Sequence, residues 1–269
     1  MIRVLPIVLA NLLAVACGAP ATAPATEVSG ETPAAGAATS PPTEEAPPAP
    51  PPAPPEWTLP AAWNTASDLA FERALDGWLP PGSVVRLAPN DLASLSAALD
   101  GADATAVRAA VLLARTRDPK AGEALLARLE RRVPGSADAD AVDVVAACAF
   151  AEGTPAANAA ARLAELAAGK RPHPDLCARV ECARSALALG RDGVIGYLLQ
   201  VLRTATTGGK PLGPDDSPSD LAFAQTRAAE ALAQRAGTDV RFRPEASVRD
   251  REAEATRLEK LLPGPPKKR

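Results

Sequence analysis

One histidine and four cysteines bound the chemistry this 269-residue chain can carry. His173 lies between Pro172 and Pro174, and any Ser-His-Asp arrangement would have to use it. No Gly-x-Ser-x-Gly turn occurs to raise a nucleophile, so we read His173 as an exposed loop residue. His173, Cys177, Cys182 and Cys148 could be drawn as a zinc set, but the spacing opposes it. Structural zinc ligands pair about two to four residues apart on a turn. Cys177 and Cys182 instead fall on one predicted helix, roughly 140° apart around its axis. Gly208-Gly209-Lys210 lacks the Gly-x-x-x-x-Gly-Lys-Ser/Thr spacing of a phosphate loop, and no predicted strand precedes it. The sequence therefore points to no catalytic residue, no metal and no cofactor.

Charge narrows the partners. Arg3 is the only basic residue before Trp57, and the stretch from Gly18 to Glu56 holds Glu27, Glu31, Glu44, Glu45 and Glu56. From Trp57 onward 28 basic residues face 27 acidic ones. A near-neutral domain of mixed sign gives no electrostatic footprint for nucleic acid. Lys267-Lys268-Arg269 reads as a short solvated tip of the tail, residues 263–269.

The N-terminus reads as an address. Arg3 precedes an apolar run from Val4 to Leu13, and small residues follow at Ala14-Val15-Ala16-Cys17-Gly18. The run is too short to span a bilayer as a helix and fits a signal peptide over residues 1–16. Ala14-x-Ala16 suits an ordinary signal peptidase. The same residues resemble a bacterial lipobox, in which Cys17 would take a diacylglyceryl group and become the mature N-terminus. Several acyl chains on one residue would hold the protein on a membrane, at about 0.8 kcal/mol per buried CH₂. Gly18 after the cysteine resembles the pattern for outer-membrane sorting in a Gram-negative cell.

Residues 17–56 read as a disordered tether. Nine of the fifteen residues from Pro41 to Pro55 are proline. Such a stretch has neither apolar bulk to bury nor donors for a helix. At roughly 3.1 Å per residue in polyproline II, it would reach about 120 Å at most.

Beyond Trp57 the pattern is helix, short turn, helix. Aromatics are only 3% of the chain, so the core must come from Leu, Ala and Val. Three segments align by their turns. The first runs from Asp103 to Pro119 and on to Leu129; the second from Asp138 to Glu152 and from Ala156 to Ala168. The third runs from Asp175 to Leu189 and from Val194 to Arg203. Pro119, Pro155 and Gly193 mark the turns at near-equal spacing. A fourth first helix follows at Leu221 to Ala236, after a polar insertion at Thr204–Ser219. Asp103, Asp138, Asp175 and Ser219 are expected N-caps. Val107, Ala110, Val111 and Ala114 form one apolar stripe, and Leu125 with Leu129 another. Residues 57–100 hold Trp57, Trp63 and Trp78, with helices expected at about Asp68–Trp78 and Asp91–Leu99. We read these residues as a cap on the open end of a stack.

The run from Arg108 through Asp118-Pro119 to Leu129 and the run from Cys182 to Leu202 resemble the HEAT-repeat family, in its bacterial HEAT-like form first named from phycobilin lyases. The stretch from Arg227 to Leu262 resembles the terminal unit of some bacterial members. The resemblance implies an all-α fold, a HEAT-like α-solenoid of about four helix pairs over residues 101–262. It also implies a non-catalytic scaffold or protein-interaction module. Its expected partner is a protein of the cell envelope, met on the face lined by second helices. Glu123, Arg128, Arg162, Tyr197, Gln200 and Arg203 are the candidates for that face. A structural spacer lipoprotein with no specific partner is the alternative, and an enzyme accessory protein is the third. In an oxidising compartment, Cys148 and Cys182 on neighbouring first helices could form a disulfide that staples two repeats. Cys148 with Cys177 is the other pairing, and buried free thiols are the third state.

Overall fold

The computed structural model describes residues 53–131, 137–204 and 217–262. Cys17, the expected signal segment, most of the tether, residues 205–216 and the tail lie outside the described residues. What is described is helical almost throughout. Two-residue strands β1 (Glu56–Trp57) and β2 (Arg86–Leu87) pair in parallel, with Glu56 opposite Arg86 and Trp57 opposite Leu87. The ten helices are α1 (Asp68–Trp78), α2 (Pro89–Ala98), α3 (Ala104–Thr116), α4 (Pro119–Arg131), α5 (Ala137–Ala151), α6 (Ala159–Ala168), α7 (Leu176–Ala188), α8 (Ile195–Arg203), α9 (Pro218–Ala236) and α10 (Val248–Leu261), with a 3₁₀ turn at Asp192–Val194. The described residues are mostly helical, consistent with the all-α class expected.

Local chemistry accounts for the helix starts. The side chains of Asp103 and Asp175 accept from the N–H groups of Ala106 and Ala178, each three residues on. Pro119 opens α4, where its missing N–H is no loss. Two expectations need correction. The cap of α9 is Ser217, not Ser219: Ser217 and Asp220 close a reciprocal capping box around Pro218 at the first helical position. α6 does not start at Ala156 but only at Ala159, after Asn158 in a left-handed conformation. Asp138 lies within α5, and its side chain is outside the described residues.

Helix ends are the more regular feature. α5, α7 and α9 each end on a glycine with positive φ: Gly153, Gly190 and Gly237. In each case the next N–H donates to the carbonyl five residues back: Thr154 to Ala149, Arg191 to Ala186 and Thr238 to Ala233. That is the Schellman closure, and it needs a residue at ease in left-handed geometry. α3 ends on Arg117, also left-handed at φ 52°. There the Leu113 carbonyl accepts from the Thr116 hydroxyl instead, at 2.8 Å.

α3, α5, α7 and α9 pack one against the next in chain order, α4 packs on α3 and α5, and α6 on α7. One buried cluster runs from Trp63 through Leu112, Leu125, Phe150, Leu163, Val180, Leu198 and Leu232 to Leu262. α4 comes so close to the turn after α5 that a Cβ on Gly122 would lie 2.0 Å from the Pro155 carbonyl oxygen. At the N-terminal end Trp63 and Phe71 enter the core, and Trp78 meets Phe71 edge-on at 5.8 Å. Trp57 donates its indole N–H to the Trp78 carbonyl at 3.0 Å. Arg108 and Arg115 tie α3 to Asp68 and Asp76 of α1.

Candidate functional site

The six residues expected on the second-helix face divide into two groups. Glu123 and Arg162 stay at the surface and meet across α4 and α6 at 2.8 Å; Arg162 also takes Glu130 through two hydrogen bonds of 2.8 Å. The Arg162 guanidinium and the Ala157 N–H hold the Glu123 carboxyl below its usual range. Gln200 is exposed on α8. Arg203, at the end of α8, bridges to Glu252 at 3.1 Å and Glu259 at 2.6 Å, both on α10. Arg128 and Tyr197 are the corrections. Tyr197 is buried, with the Arg179 guanidinium 5.0 Å over its ring. Arg128 is wholly buried. It lies five residues after Glu123 on the same helix, roughly 140° around the axis, so it points into the stack while Glu123 points out.

Arg128 belongs to a buried polar centre with His173, a further correction. His173 is only 2% exposed, not a solvated loop residue. The Arg128 Nε–H donates to Asp143 Oδ1 at 2.8 Å, and other guanidinium N–H groups reach the carbonyls of Leu99 and Gly101. The second oxygen, Asp143 Oδ2, lies 3.1 Å from His173 Nε2. His173 Nδ1 accepts from the Asp175 N–H at 3.2 Å. This acceptor role puts the ring proton on Nε2, where it is donated to Asp143. Both ring nitrogens are thus engaged inside the protein, with none facing a cleft. The arrangement links the end of α2, α4, α5 and the loop before α7. It satisfies buried charge and does no chemistry that the geometry reveals.

A second buried centre lies between α7 and α9. Glu181 accepts from Arg227 at 2.5 Å and Arg184 at 2.8 Å. Burial pushes its carboxyl pKa up, but the two guanidiniums outweigh burial and leave it below the usual range. Burial likewise drives the Cys148 thiol up, with Glu181 adding to the effect. No disulfide joins Cys148, Cys177 and Cys182, so of the three states expected the unbridged thiols are the one seen. Cys182 turns into the main core, whereas Cys148 packs with Val144, Ala178, Cys177 and Phe223 in a separate cluster. Burial raises the Cys182 thiol too, which disfavours the reactive thiolate at both buried sulfurs. Among the described residues no group of three or more His, Cys, Asp or Glu is placed to hold a metal, and no helix is long and apolar enough to cross a membrane.

The sequence reading missed a groove of about 470 Å³ past the C-terminal ends of α3, α5, α7 and α9. Arg115, Arg117, Glu152, Arg184 and Arg235 line it, with Pro81 from the loop before β2. Burial raises the Glu152 carboxyl above its ordinary range, with Arg184 and Arg115 pulling against it. The sequence carries only a partial sign of it: each of these charges sits near or just beyond the end of a first helix. No protein-family model matches the chain, and no curated protein or solved structure matches it.

Proposed function

We propose that the chain is an exported HEAT-like repeat protein, lipid-anchored through Cys17, that acts without catalysis as a scaffold for a protein of the cell envelope. One observation carries this reading. The same helix closure recurs at Gly153, Gly190 and Gly237, on helices that pack side by side in chain order around one core. Repetition of one supersecondary unit is the hallmark of a solenoid, whose extended surface binds partners rather than enclosing a reaction. The polar groups support the same reading. The one histidine is committed inside the protein, while Glu123, Arg162, Gln200 and Arg203 remain on the second-helix face. Exposed ion pairs there are worth about 0–1 kcal/mol each, so an arriving partner displaces them at small cost.

Charge reversal at Glu123, Arg162 and Arg203 together should strip the partner from material crosslinked in intact cells and recovered with the protein. An unchanged set of recovered proteins would remove the proposal. The anchor has its own test: labelled fatty acid should enter the wild type and not Cys17→Ala. Equal labelling of the two would exclude Cys17 as the acylated residue.

A further inference from the structure

The groove at the ends of the first helices lies apart from the second-helix face and carries its own chemistry. Four guanidiniums and one carboxyl stand in its walls. Three of the arginines spend part of their donors on carboxylates that do not line it: Arg115 on Asp76, Arg184 on Glu181 and Arg235 on Asp192. Each guanidinium has five N–H donors, so each keeps some for the groove. Arg117 is different. Among the described residues no hydrogen bond or ion pair engages its guanidinium, which lies over Gly153, within 3.9 Å of where that residue's Cβ would be.

Its backbone is unusual as well. Arg117 occupies, at φ 52°, the position where the three later first helices carry glycine. Left-handed geometry strains any residue with a Cβ. Glycine would serve the turn better, so the helix end alone gives no reason for an arginine. The side chain instead lays a guanidinium over Gly153 in a basic groove, where it also acts on the charge of Glu152.

We infer that this groove binds an acidic peptide segment of a partner protein, with Arg117 as the guanidinium that engages it first. The arginines are spread over α3, α7 and α9, within a row of helices that pack at roughly 8–10 Å per step. That spread suits carboxylates distributed along an extended chain better than one compact anion. Guanidinium forks take carboxylates through paired hydrogen bonds. Ala114, Ala151 and Leu187 give the groove apolar wall for the peptide backbone and side-chain stems. Glu152 is the one wall group that repels such a ligand.

Fluorescence anisotropy of labelled hexaglutamate with the mature chain tests this. Binding should weaken as salt rises and should be absent for hexaglutamine. Arg117→Gly should weaken binding about tenfold or more while raising the melting temperature by about 2–4 °C, because glycine relieves the left-handed strain. Arg117→Gln should lose binding without that gain. Glu152→Gln should tighten binding. Arg117→Gly binding as tightly as wild type would overturn the inference. So would equal binding of hexaglutamine, or a groove that takes tripolyphosphate and ignores hexaglutamate.

Discussion

The two faces of α4 use the same residue types for opposite ends. Arg128, on the inward face, is wholly buried and gives hydrogen bonds to Asp143 and three backbone carbonyls. Glu123 and Glu130, on the outward face, meet Arg162 in water-exposed pairs. Inside, a charge is tolerable only because an opposite charge and carbonyl oxygens compensate it, and removing one partner strands the other. Outside, solvent replaces a lost partner at little cost. Charge on this helix is therefore structural on one side and available for recognition on the other, and exposure decides which.

The largest expected effect comes from the inward face. Arg128→Met leaves Asp143 buried beside an apolar chain and should cost about 3–5 kcal/mol in urea unfolding. Arg128→Met with Asp143→Leu should recover much of it, and no recovery would show that the arginine acts through packing alone. Gly122→Ala, also inward, drives a Cβ against the Pro155 carbonyl and should cost about 1–3 kcal/mol. His173→Ala removes a partner from Asp143 and from the Asp175 N–H, a loss of about 1–3 kcal/mol. At the bottom of the scale, Arg162→Gln should change stability by less than about 1 kcal/mol, and salt should shrink even that. An Arg162→Gln loss matching that of Arg128→Met would erase the distinction between the faces.

Acid sharpens the contrast at the second buried centre. The folded-state pKa of Glu181 lies below its ordinary value. Its contribution is therefore present above the unfolded pKa of about 4.3 and is lost as pH falls through the lower folded value. Glu181→Gln should flatten that acid limb of the stability curve. Glu123 is lowered as well, but as an exposed carboxyl it should contribute little to the slope, and Glu123→Gln should leave the limb nearly unchanged.

Local features of this fold could be read from the sequence. The helix at Asp68–Trp78 and the caps Asp103 and Asp175 stand where the sequence places them, because each depends on residues three or four positions apart. The misassignments involve distant partners. His173 is buried against Asp143, thirty residues away, which accepts a hydrogen bond from its ring, and no motif announces that pairing. Polarity alone groups Arg128 with Glu123, although five helical steps separate their directions. Ser217 and Asp220 do form a legible capping box, but the polar insertion beside it blurred the boundary. The groove was hidden for another reason: its arginines come from three helices, and only their stacking puts them in one wall.

A photo-crosslinking residue in place of Gln200, compared with one in place of Arg73, tests the central claim most directly. Gln200 is exposed on the second-helix face; Arg73 is exposed on α1, outside the repeated pairs. In intact cells the account predicts a discrete protein adduct from position 200 and none from position 73. No adduct from position 200, or the same adducts from both, would contradict it.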